Sequence, residues 1–127
     1  MALKVELKPN ERIIIGACVI TNTDQRARLL IDGDKIPILR EKDILTAETA
    51  NTPVKRIYLC VQMMYLENDI AKYQELYFDF VKDLLAAAPS CRKQIESASN
   101  HILSGSFYKA LKDIKKLMNR EATLLGN

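Results

Sequence analysis

The chain has 127 residues, of which 48% are hydrophobic and 28% charged, and carries a formal net charge of +3. That length suits one compact unit or one small module braced by another, and the apolar content is too high for a disordered polymer. No run approaches the roughly 20 apolar residues that cross a bilayer, and Met1 to Lys8 has no signal-peptide core, so a cytoplasmic protein with no membrane partner is expected.

The first forty residues read as short strands with turn punctuation. Leu3, Val5 and Leu7 alternate with Lys4, Glu6 and Lys8, the period-2 signal of a half-buried strand, and Pro9-Asn10 breaks it. Arg12 to Ile15 is a β-branched run closed by Gly16, and Cys18 to Thr21 is another. Asn22-Thr23-Asp24-Gln25 reads as a polar hairpin loop, and Arg26 to Ile31 as the returning strand. Asp32-Gly33 is a tight-turn dipeptide, and Pro37 confines the strand from Lys35 to Leu39 to an edge or bulge. Such dense strands predict a meander or small barrel.

From about residue 46 the period changes. Thr52-Pro53 is an N-cap with proline at the first helical position, and Val54 to Leu66 is apolar nearly all round, as in a buried helix. Ile70, Tyr73, Leu76, Tyr77, Phe80, Val81, Leu84 and Leu85 form a helical stripe ending at Pro89. Ser90 is expected to cap a shorter helix whose apolar side includes Ile95, Ile102 and Leu103, stopping at Gly105. Ser106 starts the last helix, with Phe107, Leu111, Ile114, Leu117 and Met118 on one side. The expectation is an α+β protein: a five-stranded β unit over 1–45, then a four-helix module over 46–127, with short connections that make consecutive helices antiparallel neighbours.

Catalytic equipment is missing from this pattern. Cys18, Cys60 and Cys91 are odd in number and far apart, which suits buried free thiols. His101 is the single histidine, so neither a chelating set nor a Ser–His or Cys–His pair has the partners it needs, and it reads as a structural or surface residue. Asp79 and Asp83, at i and i+4, read as a solvated helix face. No enzyme activity, cofactor or metal is expected; binding is.

Two groups of cations stand out, and a blanket nucleic-acid footprint with a continuous basic stripe is not met. Lys109, Lys112, Lys115, Lys116 and Arg120 crowd the last helix, where they read first as a solvated face suited to the helix's C-terminal dipole. On the strands, Arg26 and Arg28 share one face by the period-2 rule, and Arg40 follows an apolar edge strand. An edge strand beside guanidinium groups can hold unpaired RNA, reading base edges with backbone and phosphates with arginine. Against this, Arg40 has Glu41 and Asp43 as ready salt-bridge partners. Aromatic residues are absent from the strands, which argues against base stacking on the sheet; those on the helices suit a core, with some left to face a partner helix.

Several segments carry a family resemblance: Met1 to Gly16, Leu39 to Leu45, Thr52 to Tyr58, Gln62 to Leu66 and Phe107 to Leu111. In order, and over essentially the whole chain, they resemble the FlbT family of flagellar biosynthesis repressors. The resemblance implies a post-transcriptional regulator that associates with the 5′ untranslated region of flagellin mRNA and promotes its decay, with the small flagellar protein FlaF as an opposing partner.

The first forty-five residues also resemble in layout the carbon-storage regulator CsrA, a dimeric mRNA-binding protein of five strands. The shared signs are Glu11 before an apolar run, Gly16 closing it, and Arg40-Glu41 at the end of the last strand. By position Arg40 and Lys8 carry over as RNA contacts, with Arg12 and Lys42 as neighbours of lower rank. Leu7-Lys8 departs from that family's pair of arginines, so affinity or sequence choice differs. A homodimer is expected because so small a β unit has little core and exposes strand edges. The competing expectation is a protein-binding module, a chaperone-like partner of flagellin or FlaF, with an indirect effect on mRNA.

Overall fold

The computed structural model describes residues 2–33 and 35–124 and divides into two compact units, Met1–Ile44 and Leu45–Asn127. The first unit holds β1 (Ala2–Leu7), β2 (Arg12–Ile15), β3 (Cys18–Thr21), β4 (Ala27–Asp32) and β5 (Ile38–Arg40). The second holds α1 (Pro53–Glu67), α2 (Ile70–Ala87), α3 (Arg92–Leu103) and α4 (Phe107–Leu124). The tight turn expected at Asp32-Gly33 runs into residue 34, which lies outside the described residues.

Strand pairing replaces the expected meander or barrel with two small antiparallel sheets, β1-β4 and β3-β2-β5. Among the described residues β2 and β3 alone make a hairpin. Their link is Gly16-Ala17, and Gly16 has a φ of +61°, a conformation that costs glycine little and other residues more. Residues 22–25 are not a hairpin loop; they carry the chain from β3 in one sheet to β4 in the other.

Asn22 fixes that crossing. Its side-chain nitrogen donates to the carbonyls of Leu7 (3.1 Å), Lys8 (2.9 Å) and Gln25 (2.7 Å). Its backbone N–H donates to the Glu11 carbonyl, and its own carbonyl accepts from Asn10. One amide therefore satisfies backbone groups from both interrupted strands, which is how a polar turn substitutes for a ladder. Beneath it Val5, Leu7 and Ile13 form the buried core of the unit, with Leu29, Ile31, Ile15 and Ile38 packed around them. On β4 the alternation is clean: Leu29 and Ile31 turn inward, while Arg28, Leu30 and Asp32 face solvent. β3 is exposed along its whole length, Val19 to 63%.

In the helical unit α1 packs on α2 and α4, and α3 on α4. Ile57, Val61, Met64, Ala98, Ala110, Ile114 and Leu117 are fully or almost fully buried. Thr52 caps α1 as expected, its hydroxyl accepting from Lys55 N–H at 3.2 Å. The reversal into α2 takes two residues: Asn68, in the left-handed conformation, closes α1, and the Asp69 carboxylate accepts from Lys72 N–H. Ser90 does not cap α3. Pro89–Cys91 forms a 3-10 turn ahead of that helix, and the Ser90 hydroxyl instead accepts from Arg120 at 3.1 Å. Leu103, expected on the apolar side, is 80% exposed because it sits at the last residue of α3, beyond the packed stretch.

Two polar side chains hold the helical unit together from inside. Gln62, buried on α1, pairs like a peptide with Leu45, accepting from its N–H and donating to its carbonyl, each at 2.9 Å. Glu121 on α4 accepts the Thr52 hydroxyl and the Val54 N–H, placing a carboxylate at the positive end of α1. Gln62→Ala strands the Leu45 peptide groups and is expected to cost about 1–3 kcal/mol in urea denaturation. Glu121→Ala is expected to cost about 1–2 kcal/mol by the same measurement, and Thr123→Ala on the exposed side of α4 much less.

Candidate nucleic-acid interface

The register places the strand cations relative to one another. Leu7 opposes Ala27, Arg12 opposes Thr21, and Ile13 opposes Arg40. Lys8 and Arg26 therefore sit at the end of the β1-β4 ribbon, and Arg12, Arg40 and Lys42 at the end of the other sheet. The Asn22 crossing joins these two ends, so five of the six candidate cations gather at one end of the β unit. Arg28 lies one step further in, directly opposite Glu6.

Carboxylates are threaded through the group. Arg26 donates to Glu6 at 2.7 Å, and Arg12 Nε donates to Glu41 at 3.2 Å while its backbone N–H reaches the other oxygen of Glu41. Glu11 takes the Lys8 backbone N–H at 2.9 Å and leaves the ammonium in solvent. Glu41 is thus engaged by Arg12 rather than Arg40, and among the described residues Lys8, Arg28, Arg40 and Lys42 are in no ion pair. Arg40 is half-buried and, by register, shares the sheet face of Ile13 and Ile38. The hydrogen bond and charge of Arg26, with a smaller contribution from the charge of Arg28, hold the Glu6 carboxyl below its usual range.

Both ion pairs are exposed, with the arginine side chains 60% accessible in each. Pairs of that kind contribute little and are readily exchanged for another anion. Sequence reasoning located the cations and offered Glu41 as a partner for Arg40, but it missed the pairing of Glu41 with Arg12, that of Glu6 with Arg26, and the crossing role of Asn22. Their roles depend on partners 14 to 29 positions away, and only the Asn22 turn chemistry left a local signal.

Among the described residues no cluster of His, Cys, Asp or Glu could hold a metal ion. His101 Nδ1 lies 2.9 Å from Asp113 Oδ2, and the Ser97 hydroxyl donates to that same oxygen at 2.8 Å. The serine is thus bound to the acid rather than to the imidazole, the wrong order for proton removal by histidine. Cys60 and Cys91 are buried, as expected, and burial pushes the Cys60 thiol up to about 11, away from reactivity. Cys18 departs from the expectation: it is exposed, because β3 is an edge strand covered on neither face.

The helical unit offers an apolar groove of about 250 Å³ between α1 and α2, lined among others by Leu59, Met63, Leu76 and Phe80. Phe78 on the same helix is half exposed, whereas Tyr58 and Tyr77 belong to the core. No helix among the described residues is long and apolar enough to cross a membrane.

Removing the arginine from the tightest strand ion pair gives a direct reading of this geometry. In Arg26→Ala the Glu6 carboxyl is expected to titrate higher, back toward its ordinary range, by carboxyl-carbon NMR. The lowered Glu6 value favours the fold above the usual carboxylate pKa, and that contribution fades as pH falls through the folded value. The variant is expected to lose this small pH dependence.

Comparison with known proteins gives a consistent result over nearly the full length. The family model described as "Flagellar protein FlbT" matches residues 3–125. A protein of Rhodopseudomonas palustris named "Probable flagellum biosynthesis repressor protein FlbT" is 68% identical over 126 residues, covering 99% of each chain. A Bradyrhizobium diazoefficiens protein of corresponding name is 60% identical, covering 99% of this chain and 86% of its own. The "Flagellum biosynthesis repressor protein FlbT" of Caulobacter vibrioides is 33% identical over 130 residues, covering all of this chain and 92% of its own. No solved structure gives a significant match.

Proposed function

Because the chain belongs to the FlbT family of flagellar proteins, we propose that it represses flagellum biosynthesis after transcription, by binding the 5′ leader of flagellin mRNA and exposing the message to decay. The names of its relatives support the repressor role. The observation that supports RNA as the target is the gathering of Lys8, Arg12, Arg26, Arg40 and Lys42 at one end of the β unit. Cations so clustered neutralise phosphates, and arginine adds a planar fork for them. Arg40, fixed by its register on the edge strand β5, is the contact of highest rank. In this reading the chain holds the leader and the cell supplies the nuclease. A second copy pairing along the open β3 edge would cover Val19 and Ile20.

The apolar groove between α1 and α2 favours a second role, docking of a protein partner such as a FlaF-like regulator or flagellin through an amphipathic helix. Were that the whole function, the effect on mRNA would be indirect. Titrating purified protein against a flagellin leader RNA over a range of salt separates the two. Arg40→Ala is expected to weaken binding several-fold and to flatten the salt slope by about 0.7, the loss of one phosphate contact. Absence of measurable binding by the wild type would sink direct RNA recognition and leave the protein-docking role.

A further inference from the structure

We propose that the exposed face of α4 is a second contact surface for single-stranded nucleic acid, built from Lys109, Lys112, Lys116 and Arg120 with Tyr108 at its start. This rests on the RNA-binding reading above but places contacts on the helical unit, where that reading puts none.

The stripe follows from helical spacing. Positions 109, 112, 116 and 120 recur at intervals of three and four, so their side chains share one face, while Ala110, Leu111, Ile114 and Leu117 are buried on the other. All four cations are exposed, and together they cover about three turns, roughly 17 Å of helix axis.

A row of lysines is ordinarily a solvated face in which acids alternate with bases. Here the acids have been withdrawn. The two carboxylates of α4 are Asp113 and Glu121. The Asp113 side chain is only 14% accessible and is held by Ser97 and His101. Glu121 is turned into the start of α1. None of the four cations is in an ion pair among the described residues. The contrast within the same unit is α2, where Lys72 and Lys82 are interspersed with exposed Glu75, Asp79 and Asp83.

Like charges at i and i+4 on one helix repel, at a cost of a few tenths of a kcal/mol for each pair. Lys112–Lys116 and Lys116–Arg120 both carry that cost, which a polyanion laid along the face would relieve. The positive field also continues past the helix. Arg120 donates to Ser90, which sets it beside the start of α3, where Arg92 and Lys93 are exposed. Tyr108 is 49% exposed, with the Lys112 ammonium 4.9 Å from its ring centre. An exposed aromatic beside a phosphate-binding cation is the pairing that single-strand binders use, one group stacking on a base while the next holds the backbone.

The face suits a flexible single strand rather than a duplex, because the cations lie in one straight row and the aromatic needs an unstacked base. An anionic membrane surface offers charge but no base for Tyr108.

The test uses the full chain, an unstructured fluorescent RNA oligonucleotide, and the variant Lys109→Gln/Lys112→Gln/Lys116→Gln. Thermal melting first establishes that the exposed substitutions leave the fold intact, and the Lys→Arg triple at the same positions restores charge. The glutamine variant is expected to bind at least tenfold more weakly near 100 mM salt, with a salt slope shallower by about 2, as three lost single-strand phosphate contacts require. The arginine variant is expected to match wild type.

A glutamine variant within twofold of wild type in affinity and slope, while Arg40→Ala weakens binding, overturns the α4 surface and leaves the strand site standing. Wild-type protein that binds no RNA overturns both. Phosphatidylserine vesicles serve as the parallel arm: loss of vesicle binding by the glutamine variant with unchanged RNA affinity assigns the face to a membrane and overturns the proposal.

Discussion

Where four carboxylates are held decides which positive charges this molecule offers to a partner. Glu6 and Glu41 stand at the surface against Arg26 and Arg12. Asp113 and Glu121 are drawn into the helix packing by Ser97, His101, Thr52 and Val54. The first pair leaves a mixed field on the strands, in which Arg12 and Arg26 are paired while Arg28 and Arg40 are in no ion pair among the described residues. The second leaves an unmixed field on α4. Exposed pairs of this kind are worth about 0–1 kcal/mol, so Arg12 and Arg26 are only weakly held by their glutamates.

The same two inward carboxylates are structural. Glu121 brings the far end of α4 onto the start of α1 by meeting backbone and hydroxyl donors that no intrahelical carbonyl can serve. Asp113 joins α4 to α3 through one oxygen shared by a serine and a histidine. Stability and surface charge are therefore coupled in this unit: the hydrogen bonds that fasten the helices are those that strip negative charge from the exposed face. Gln62, fastened to Leu45, does the equivalent for the segment entering α1 without changing any charge.

In the β unit the comparable economy falls to Asn22. With so few residues the two sheets bury only a small core around Val5, Leu7 and Ile13. Neither ribbon has enough ladder to stand alone. One amide bonded to three carbonyls at the crossing supplies order where apolar area is short, and it is also what brings Lys8 and Arg26 to the same end as Arg12 and Arg40. Val19, Ile20 and Leu30 remain in solvent as the residue of that shortage.

Local signals in the sequence set the change from period 2 to period 3.6 near residue 46, the Thr52-Pro53 start of α1 and most of the apolar faces of the helices, with Leu76 and Leu103 left exposed. These are local matters of side-chain direction and backbone capping, and they need no knowledge of neighbours. The sequence also marked the cations on both units. Tertiary structure alone decided which strands pair, because residues 22–25 suit a hairpin as well as a crossover, and only the Asn22 contacts distinguish the two. It decided that Ser90 meets Arg120 instead of capping α3, and that Cys18 lies open. Above all it decided the partners of Glu6, Glu41, Asp113 and Glu121. The reach of a carboxylate is a few ångströms in space, and nothing in the order of residues says which distant segment will be folded to within it.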